Sequence, residues 1–148
     1  MSVRVRRANT EDCPRIAELV EAGFAAAIAP HYGAEGCRTF RRFATADAIA
    51  ARLAAGNVAW VAVRDCGIVA YVEMDGDHMR MMFVDPRHQG RGFGRTLIQR
   101  ALEGRDGRTV TVNSAPDADA FYRHMGFRPT GPRQESTGIV FTPMARRL

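Results

Sequence analysis

Residues 83–95 read FVDPRHQGRGFGR, an apolar segment that leads into a loop with glycine at every second position from 90 to 94. Apolar residues then recur at helical spacing over positions 97–102, so the loop is predicted to open a helix. Glycine tolerates backbone torsions that other residues avoid and lets a ligand approach the N–H groups. Because the first N–H groups of a helix are unpaired and carry its positive dipole end, the pattern predicts a cradle for a pyrophosphate. Three arginines would surround this cradle with positive charge: Arg87, Arg91 and Arg95.

Two familiar nucleotide-binding motifs do not fit this loop. A P-loop requires G-x-x-x-x-G-K-[ST], whereas Gly90 and Gly94 are one residue too close and Arg95 stands where lysine belongs. A dinucleotide-binding turn requires G-x-G-x-x-G close to the first strand of a βαβ unit, but this loop follows three predicted antiparallel strands. The loop is therefore either a cradle for another phosphate ligand or a flexible turn between a strand and a helix.

Changes in hydrophobic periodicity predict one domain over residues 1–148. The predicted strands cover residues 3–5, 58–63, 68–74, 78–84, 109–113, 127–131 and 138–144. The predicted helices cover residues 11–28, 48–55, 97–102 and 117–125. This order indicates an α/β (α+β) fold with a mixed, mostly antiparallel central sheet of about seven strands, flanked by about four helices.

Composition and charge narrow the class of protein. The chain has 148 residues, of which 46% are apolar and 25% charged. It lacks both an apolar run of the ~20 residues that a membrane helix needs and the apolar core of a signal peptide, so we expect a cytoplasmic protein without a membrane partner. The formal charge is +5, but the 21 basic residues, all arginine, are scattered, which argues against nucleic acid as a partner. The three cysteines, Cys13, Cys37 and Cys66, form no C-x-x-C, so free thiols and no metal site are expected.

Two segments in register resemble the GNAT superfamily of N-acetyltransferases. The loop Gln89–Gly94 resembles the acyl-CoA signature Q/R-x-x-G-x-G/A of that family, and residues 118–127, ADAFYRHMGF, are similar to a later segment of the family. The predicted order of elements also matches, so the resemblance covers nearly the whole chain. It implies the GNAT fold, with acetyl-CoA as co-substrate.

The resemblance assigns acetyl-CoA binding to particular residues. The strand before the loop would separate from its neighbour at a bulge, so that the backbone of Met82–Val84 meets the pantetheine arm. The asparagine that the family often places seven residues before its tyrosine is Ala115 here, and Asn113 either takes over that contact or only ends the strand. The expected binding residues are Met82, Phe83, Val84, Gln89, Gly90, Arg91, Gly92, Phe93, Gly94, Arg95 and Asn113.

Catalytic roles also follow from the resemblance. Tyr122 matches the usual general acid, which would protonate the departing thiolate, and a phenol with an ordinary pKa of ~10 carries its proton at neutral pH. The general base is left open among Glu73, His78 and water. If His78, Arg80 and Met82 belong to a regular strand, they share one face.

The acceptor pocket is expected between the segment 30–43 and the last two strands. Its aromatic and cationic residues favour an amine that also carries a carboxylate or phosphate: His31, Tyr32, Arg38, Phe40, Arg41 and Arg42. The predicted function is transfer of an acetyl group from acetyl-CoA to a primary amine of a small molecule or peptide by direct attack. The alternative is a non-catalytic module that binds acyl-CoA as a sensor or assembly partner. A homodimer is compatible with the resemblance.

Overall fold

The computed structural model describes residues 3–65 and 67–148, so Cys66 lies outside the described residues. Within them, Cys13 and Cys37 are free thiols. The eight strands of the described residues are β1 (Arg4–Arg7), β2 (Val58–Arg64), β3 (Gly67–Asp75), β4 (His78–Val84), β5 (Thr109–Ser114), β6 (Arg128–Pro129), β7 (Gln134–Ser136) and β8 (Ile139–Arg147). The five α-helices of the same residues are α1 (Cys13–Ala27), α2 (Ala34–Phe43), α3 (Ala46–Ala54), α4 (Phe93–Leu102) and α5 (Asp119–His124).

The strands form one mixed sheet in the order β1-β2-β3-β4-β5-β8-β6, and β7 pairs with β8. Every neighbouring pair is antiparallel except β4 and β5, which are parallel. This confirms the predicted mixed, mostly antiparallel sheet. The short β7 and the helix α2 were not predicted; residues 34–43 were expected to be part of a loop. No side chain caps α2 at Gly33, and charged residues fill much of its length, so the sequence gives a weak helix signal there.

Two apolar clusters hold helices against opposite faces of the sheet. One cluster joins α4 and α5 to the sheet and includes Leu97, Ile98 and Met79. The other joins α1 and α3 to the sheet and includes Ile16 and Met81. No helix within residues 3–65 and 67–148 has both the length and the apolar character needed to cross a membrane.

The sheet opens between β4 and β5. These strands pair only at His78–Thr111 and Met79–Val112, although β4 continues to Val84 and β5 to Ser114. At the same point the register between β3 and β4 shifts, which leaves Arg80 as an extra residue in β4. A V-shaped gap therefore begins just beyond Met79, as the family resemblance implied.

The bulge also corrects the expected alternation along β4. Met79 and Met81 belong to different apolar clusters, although residues two apart in a regular strand share a face. Met82 packs with the cluster of Met79, whereas Arg80 lies over the ring of Phe43, which packs against the cluster of Met81. The extra residue therefore separates Arg80 from Met82, which the sequence had placed together.

Helix α2 is held against the turn between β7 and β8 by direct backbone contact. A β-carbon on Gly36 would overlap the carbonyl group of Gly138, which itself has a φ of +83°. The hydroxyl of Thr39 donates to the carbonyl oxygen of Thr137 at 2.9 Å, and that of Tyr32 donates to the carbonyl oxygen of Val140 at 3.3 Å. This contact covers one side of the gap.

Replacing Gly36 with alanine tests that backbone contact. We expect Gly36→Ala to lower the free energy of unfolding by about 1–3 kcal/mol, because the methyl group must push two backbone segments apart. Gly33→Ala is the matched control, since nothing lies within 4 Å of a β-carbon there. Urea denaturation of both variants measures the difference. Equal stabilities would contradict the direct contact between α2 and the turn.

Candidate active site

The gap between β4 and β5 widens into a groove of about 1380 Å³. Its walls come from β4, the glycine loop, the end of β5, α5, the end of α1, α2 and the start of β8. Of the expected catalytic and acetyl-CoA-binding residues, two do not line the groove: Glu73 and Arg91. Those that line it are Met82, Phe83, Val84, Gln89, Gly90, Gly92, Phe93, Gly94, Arg95, Asn113, His78 and Tyr122.

The glycine loop presents a row of unpaired backbone donors. Gly90 and Gly92 have φ values of +77° and +83°, which glycine adopts without strain, and Gly92 is the N-cap of α4. The first backbone bond of the helix runs from the N–H of Thr96 to the carbonyl oxygen of Gly92. Within the described residues, the seven N–H groups from Gln89 to Arg95 have no acceptor. These donors at a helix N-terminus suit an anion such as a diphosphate.

Asp85 fixes the position where β4 leads into the loop. Its carboxylate accepts bonds from the backbone N–H of Arg87 at 3.0 Å and from the guanidinium of Arg15 at 2.9 Å. Its own N–H donates to the carbonyl oxygen of Val69 at 2.8 Å. The hydrogen bond from the Arg87 side chain, with those from the Arg87 backbone and Arg15, holds the pKa of Asp85 well below its usual range despite burial. The sequence suggested that Arg87 adds positive charge to the cradle. In the structure Arg87 forms an ion pair with Asp85, which partly neutralises the charge of Arg87.

Tyr122 lies on the wall of the groove between two aromatic rings. Its ring meets those of Phe121 and Phe127 edge to face, with centroids 5.2 and 5.8 Å away. The side chain is nearly buried, and its hydroxyl makes no hydrogen bond to any of residues 3–65 or 67–148. Burial raises the pKa of the Tyr122 phenol, so the phenol carries its proton at neutral pH.

His78 and Asn113 lie on the two strands that border the gap. The His78 Nδ1 is 2.8 Å from the hydroxyl oxygen of Thr111, and burial, with the nearby charge of Arg80, lowers the pKa of this histidine. Its imidazole is therefore neutral at neutral pH and able to accept a proton. Asn113 is exposed on β5, and its side-chain amide makes no hydrogen bond within the described chain.

The structure contradicts a catalytic role for Glu73. Its carboxylate is fully buried outside the groove and accepts hydrogen bonds from Arg52 at 2.7 Å, Asn57 at 2.7 Å and the Tyr71 hydroxyl at 2.8 Å. Burial alone would raise the pKa of Glu73, but these donors and the charge of Arg52 outweigh it and lower the pKa. A carboxylate so committed has no free position for a substrate proton.

The acceptor side of the groove differs from the expected arginine rim. Tyr32 and Phe40 line it, but Arg38, Arg41 and Arg42 do not, and Arg41 pairs with Glu21 on α1.

A histidine–aspartate pair borders the groove instead. His31 Nε2 lies 2.9 Å from Asp117 Oδ2, so the short turn that follows α1 meets the loop before α5. Asp117 has a φ of +69° and Thr137 a φ of +50°; both line the groove, and within the described chain they are the non-glycine residues with positive φ. The sequence placed His31 in the acceptor pocket. It did not indicate the pairing of His31 with Asp117 or the strained backbone of Asp117, because no pattern of neighbouring residues marks either feature.

Comparison with known families identifies the fold. A family model described as an acetyltransferase (GNAT) domain matches residues 28–148. The chain belongs to the GNAT acetyltransferase family. This GNAT chain is 40% identical over 74 residues to the peptidyl-lysine N-acetyltransferase YjaB of Salmonella typhimurium, an alignment that covers 49% of this chain and 51% of YjaB. The chain thus spans about half the length of the curated relatives it matches.

Solved structures extend the likeness to the whole GNAT fold. A GCN5-related N-acetyltransferase from Rhodopseudomonas palustris superposes with a TM-score of 0.81 at 24% identity, covering 100% of this chain and 97% of that one. The PaiA N-acetyltransferase from Thermoplasma acidophilum, in complex with coenzyme A, gives a TM-score of 0.82 at 15% identity and covers 100% of both chains. At these identities the structures show the fold that the GNAT chain shares with them.

A stability measurement tests the structural assignment of Glu73. We expect Glu73→Gln to lower the free energy of unfolding at pH 7 by about 3 kcal/mol, because it breaks a buried ion pair. Folding lowers the pKa of Glu73, so the ionised carboxylate stabilises the folded protein above the unfolded-state pKa of ~4.3. This stabilisation is lost as the pH falls through the folded-state pKa. The difference from the wild type should therefore shrink on acidification. Urea denaturation over a pH series measures it.

Glu21→Gln is the matched control for Glu73→Gln. Glu21 pairs with Arg41 at 2.9 Å, but both side chains are half exposed. Its loss should cost no more than about 0.5 kcal/mol. If Glu73→Gln cost no more than this control, the carboxylate would not have the structural role assigned to it.

Proposed function

We propose that this protein is an N-acetyltransferase whose single domain transfers an acetyl group from acetyl-CoA to the primary amine of a small molecule or peptide by direct attack. The proposal rests on the row of unpaired N–H groups from Gln89 to Arg95 at the end of β4. The family assignment and the coenzyme A complex of the Thermoplasma relative support the same class of ligand. Because the relative YjaB is named a peptidyl-lysine N-acetyltransferase, lysine peptides are the first acceptors to test.

The groove fits acetyl-CoA through two of its features. The loop from Gln89 to Arg95 would bind the diphosphate through its N–H groups, and Arg95 adds positive charge on the groove wall. Where β4 and β5 are unpaired, the backbone of Met82–Val84 has no strand partner on the β5 side, so its N–H and C=O groups would pair with the amides of the pantetheine arm. The amide of Asn113 would add a contact from β5.

Acetyl-CoA supplies the thioester carbonyl that the amine attacks. A backbone N–H of β4 near Met82 would donate to the carbonyl oxygen and stabilise the negative charge that develops there. As the new carbon–nitrogen bond forms and the carbon–sulfur bond breaks, the Tyr122 hydroxyl would protonate the departing thiolate. Burial raises the pKa of Tyr122, but the same desolvation raises the proton affinity of a thiolate released beside it, so the proton transfer stays balanced.

His78 would accept the proton that the attacking amine must lose. An alkyl amine has an ordinary pKa of ~10 and is mostly protonated at neutral pH, so attack requires a proton acceptor. The lowered pKa of His78 keeps its imidazole neutral, and its place at the narrow end of the gap puts it beside the reacting groups. It would act directly or through one water molecule.

Two glycines that flank α4, one before its start and one after its end, test the cradle. We expect Gly92→Ala to raise the Kd for acetyl-CoA at least about tenfold, because alanine disfavours a φ of +83° and the loop must strain or shift its N–H groups. Gly104→Ala is the control, since Gly104 has a φ of +77°, equally open surroundings and no place in the groove. Thermal shift titration with acetyl-CoA measures both Kd values. Equal effects of the two substitutions on Kd would contradict the cradle.

The pH dependence of turnover tests the two proton-transfer roles. We expect Tyr122→Phe to lower kcat by about 100-fold or more without changing the Kd for acetyl-CoA. The wild-type rate should fall on the acidic side at a pH below the ordinary histidine pKa of ~6.5, since the pKa of His78 is lowered, and His78→Gln should remove this limb. Thiol release with a panel of amines and lysine peptides measures these profiles.

The same assay separates the transferase from a non-catalytic binding module. Unchanged turnover in Tyr122→Phe would refute the acid assignment, and an unchanged acidic limb in His78→Gln would refute the base assignment. Tight binding of acetyl-CoA without turnover of any amine would favour a sensor or assembly module.

A further inference from the structure

The bulge in β4 directs Arg80 into the groove. Arg80 is the extra residue where the register between β3 and β4 shifts, and bulges commonly re-aim a side chain in this way. Its side chain is exposed and lines the groove, and its guanidinium carbon lies 4.8 Å from the centroid of the Phe43 ring at the end of α2. Arg80 therefore lies on the acceptor side of the gap, two positions along β4 from His78.

Two guanidinium groups contact Phe43, and they differ in their partners. Arg52 lies 3.7 Å from the ring centroid, donates to the Phe43 carbonyl oxygen at 2.7 Å and is neutralised by Glu73. Arg80 forms no ion pair with any of residues 3–65 or 67–148. The buried pair of Arg52 and Glu73 thus holds the Phe43 ring in place. The Arg80 guanidinium also packs on the Phe43 ring, and its charge is available to a ligand.

The charges around the groove favour an anion at Arg80. Among the described residues that line the groove, Asp117 supplies the sole carboxylate, and it pairs with His31. The lining of the groove also includes apolar side chains, among them residues 139–141 of β8 and Phe40. Apolar walls lower the local dielectric, which strengthens the attraction between an unpaired cation and a ligand anion.

We propose that Arg80 binds a carboxylate or phosphate of the acceptor, so that the substrate is an amine that also carries an acidic group. This inference rests on the proposed transferase function. The planar guanidinium would donate two parallel hydrogen bonds to the anion, and the amine of the same molecule would then reach the gap beside His78. The sequence had suggested that arginines of α2 bind this anion, but their side chains do not line the groove. Arg80 on β4 does line it and would bind the anion instead.

Matched acceptors that differ in one anionic group test this role. The pairs are γ-aminobutyrate against butylamine, phosphoethanolamine against ethanolamine, and a capped lysine peptide flanked by glutamate against one flanked by glutamine. The wild type should favour the anionic member by about tenfold or more in kcat/KM, as expected for one charge-assisted pair. The pair with the largest ratio shows whether carboxylate, phosphate or peptide acid is the preferred source of the anion.

Substitutions at Arg80 separate a specificity role from a structural one. Because the charge of Arg80 also helps to lower the pKa of His78, the assay is run at about pH 8, where this imidazole is neutral with or without that charge. There, Arg80→Gln should lower kcat/KM for the anionic members to the level of the neutral ones, mainly through KM, and leave the neutral members unchanged. Arg80→Lys should keep part of the preference, because it retains the charge without the planar fork. Arg42→Gln, on α2 but outside the groove, should change neither class of acceptor.

Two outcomes would overturn the proposal while the transferase function stands: equal turnover of anionic and neutral amines by the wild type, or an equal loss for both classes in Arg80→Gln. If no amine is acetylated although acetyl-CoA still raises the Tm, both the role of Arg80 and the transferase reaction are contradicted. The site for coenzyme A would then remain as a binding site.

Discussion

The structure depends on the loss of pairing between β4 and β5 beyond Met79 and Val112. Two parallel strands in the middle of a sheet normally satisfy each other's backbone groups, and unpaired groups in such a place are costly. Here the strands separate, and the gap becomes the groove. A ligand with its own amide groups, such as the pantetheine arm in the proposed function, would restore the missing pairing. The same feature therefore weakens the free sheet and prepares it for binding.

Rigid supports on both sides keep this gap open. Asp85 ties the end of β4 to α1 through Arg15, and the glycine loop begins from that fixed point. On the other side, Gly36 and Gly138 bring α2 against the turn before β8, which forms the acceptor wall. The unpaired donors of the loop thus stand on an anchored backbone, so their orientation is set before the ligand arrives, which lowers the entropic cost of binding.

Local patterns in the sequence predicted the parts of the site that lie on one stretch of chain. The loop from Gln89 to Arg95 and the segment around Tyr122 were recognisable because spacing within a few residues defines them. Glu73 was misjudged because its partners come from α3 and the turn after it, and an isolated strand pattern does not reveal a buried ion pair. Arg80, which we propose as a ligand-binding residue, was not singled out from the sequence, because no sequence pattern marks the bulge that turns its side chain to the other face of the strand.

Amide hydrogen exchange of the loop, followed by NMR during titration with acetyl-CoA, tests the cradle most directly. The N–H groups from Gln89 to Arg95 should exchange rapidly in the free protein and become protected and shifted on binding. The N–H of Gly107, which already donates to the carbonyl oxygen of Leu148 at 3.0 Å, provides an internal reference that should not change. Binding that leaves the loop amides unprotected, with changes confined to other parts of the chain, would contradict the proposed site.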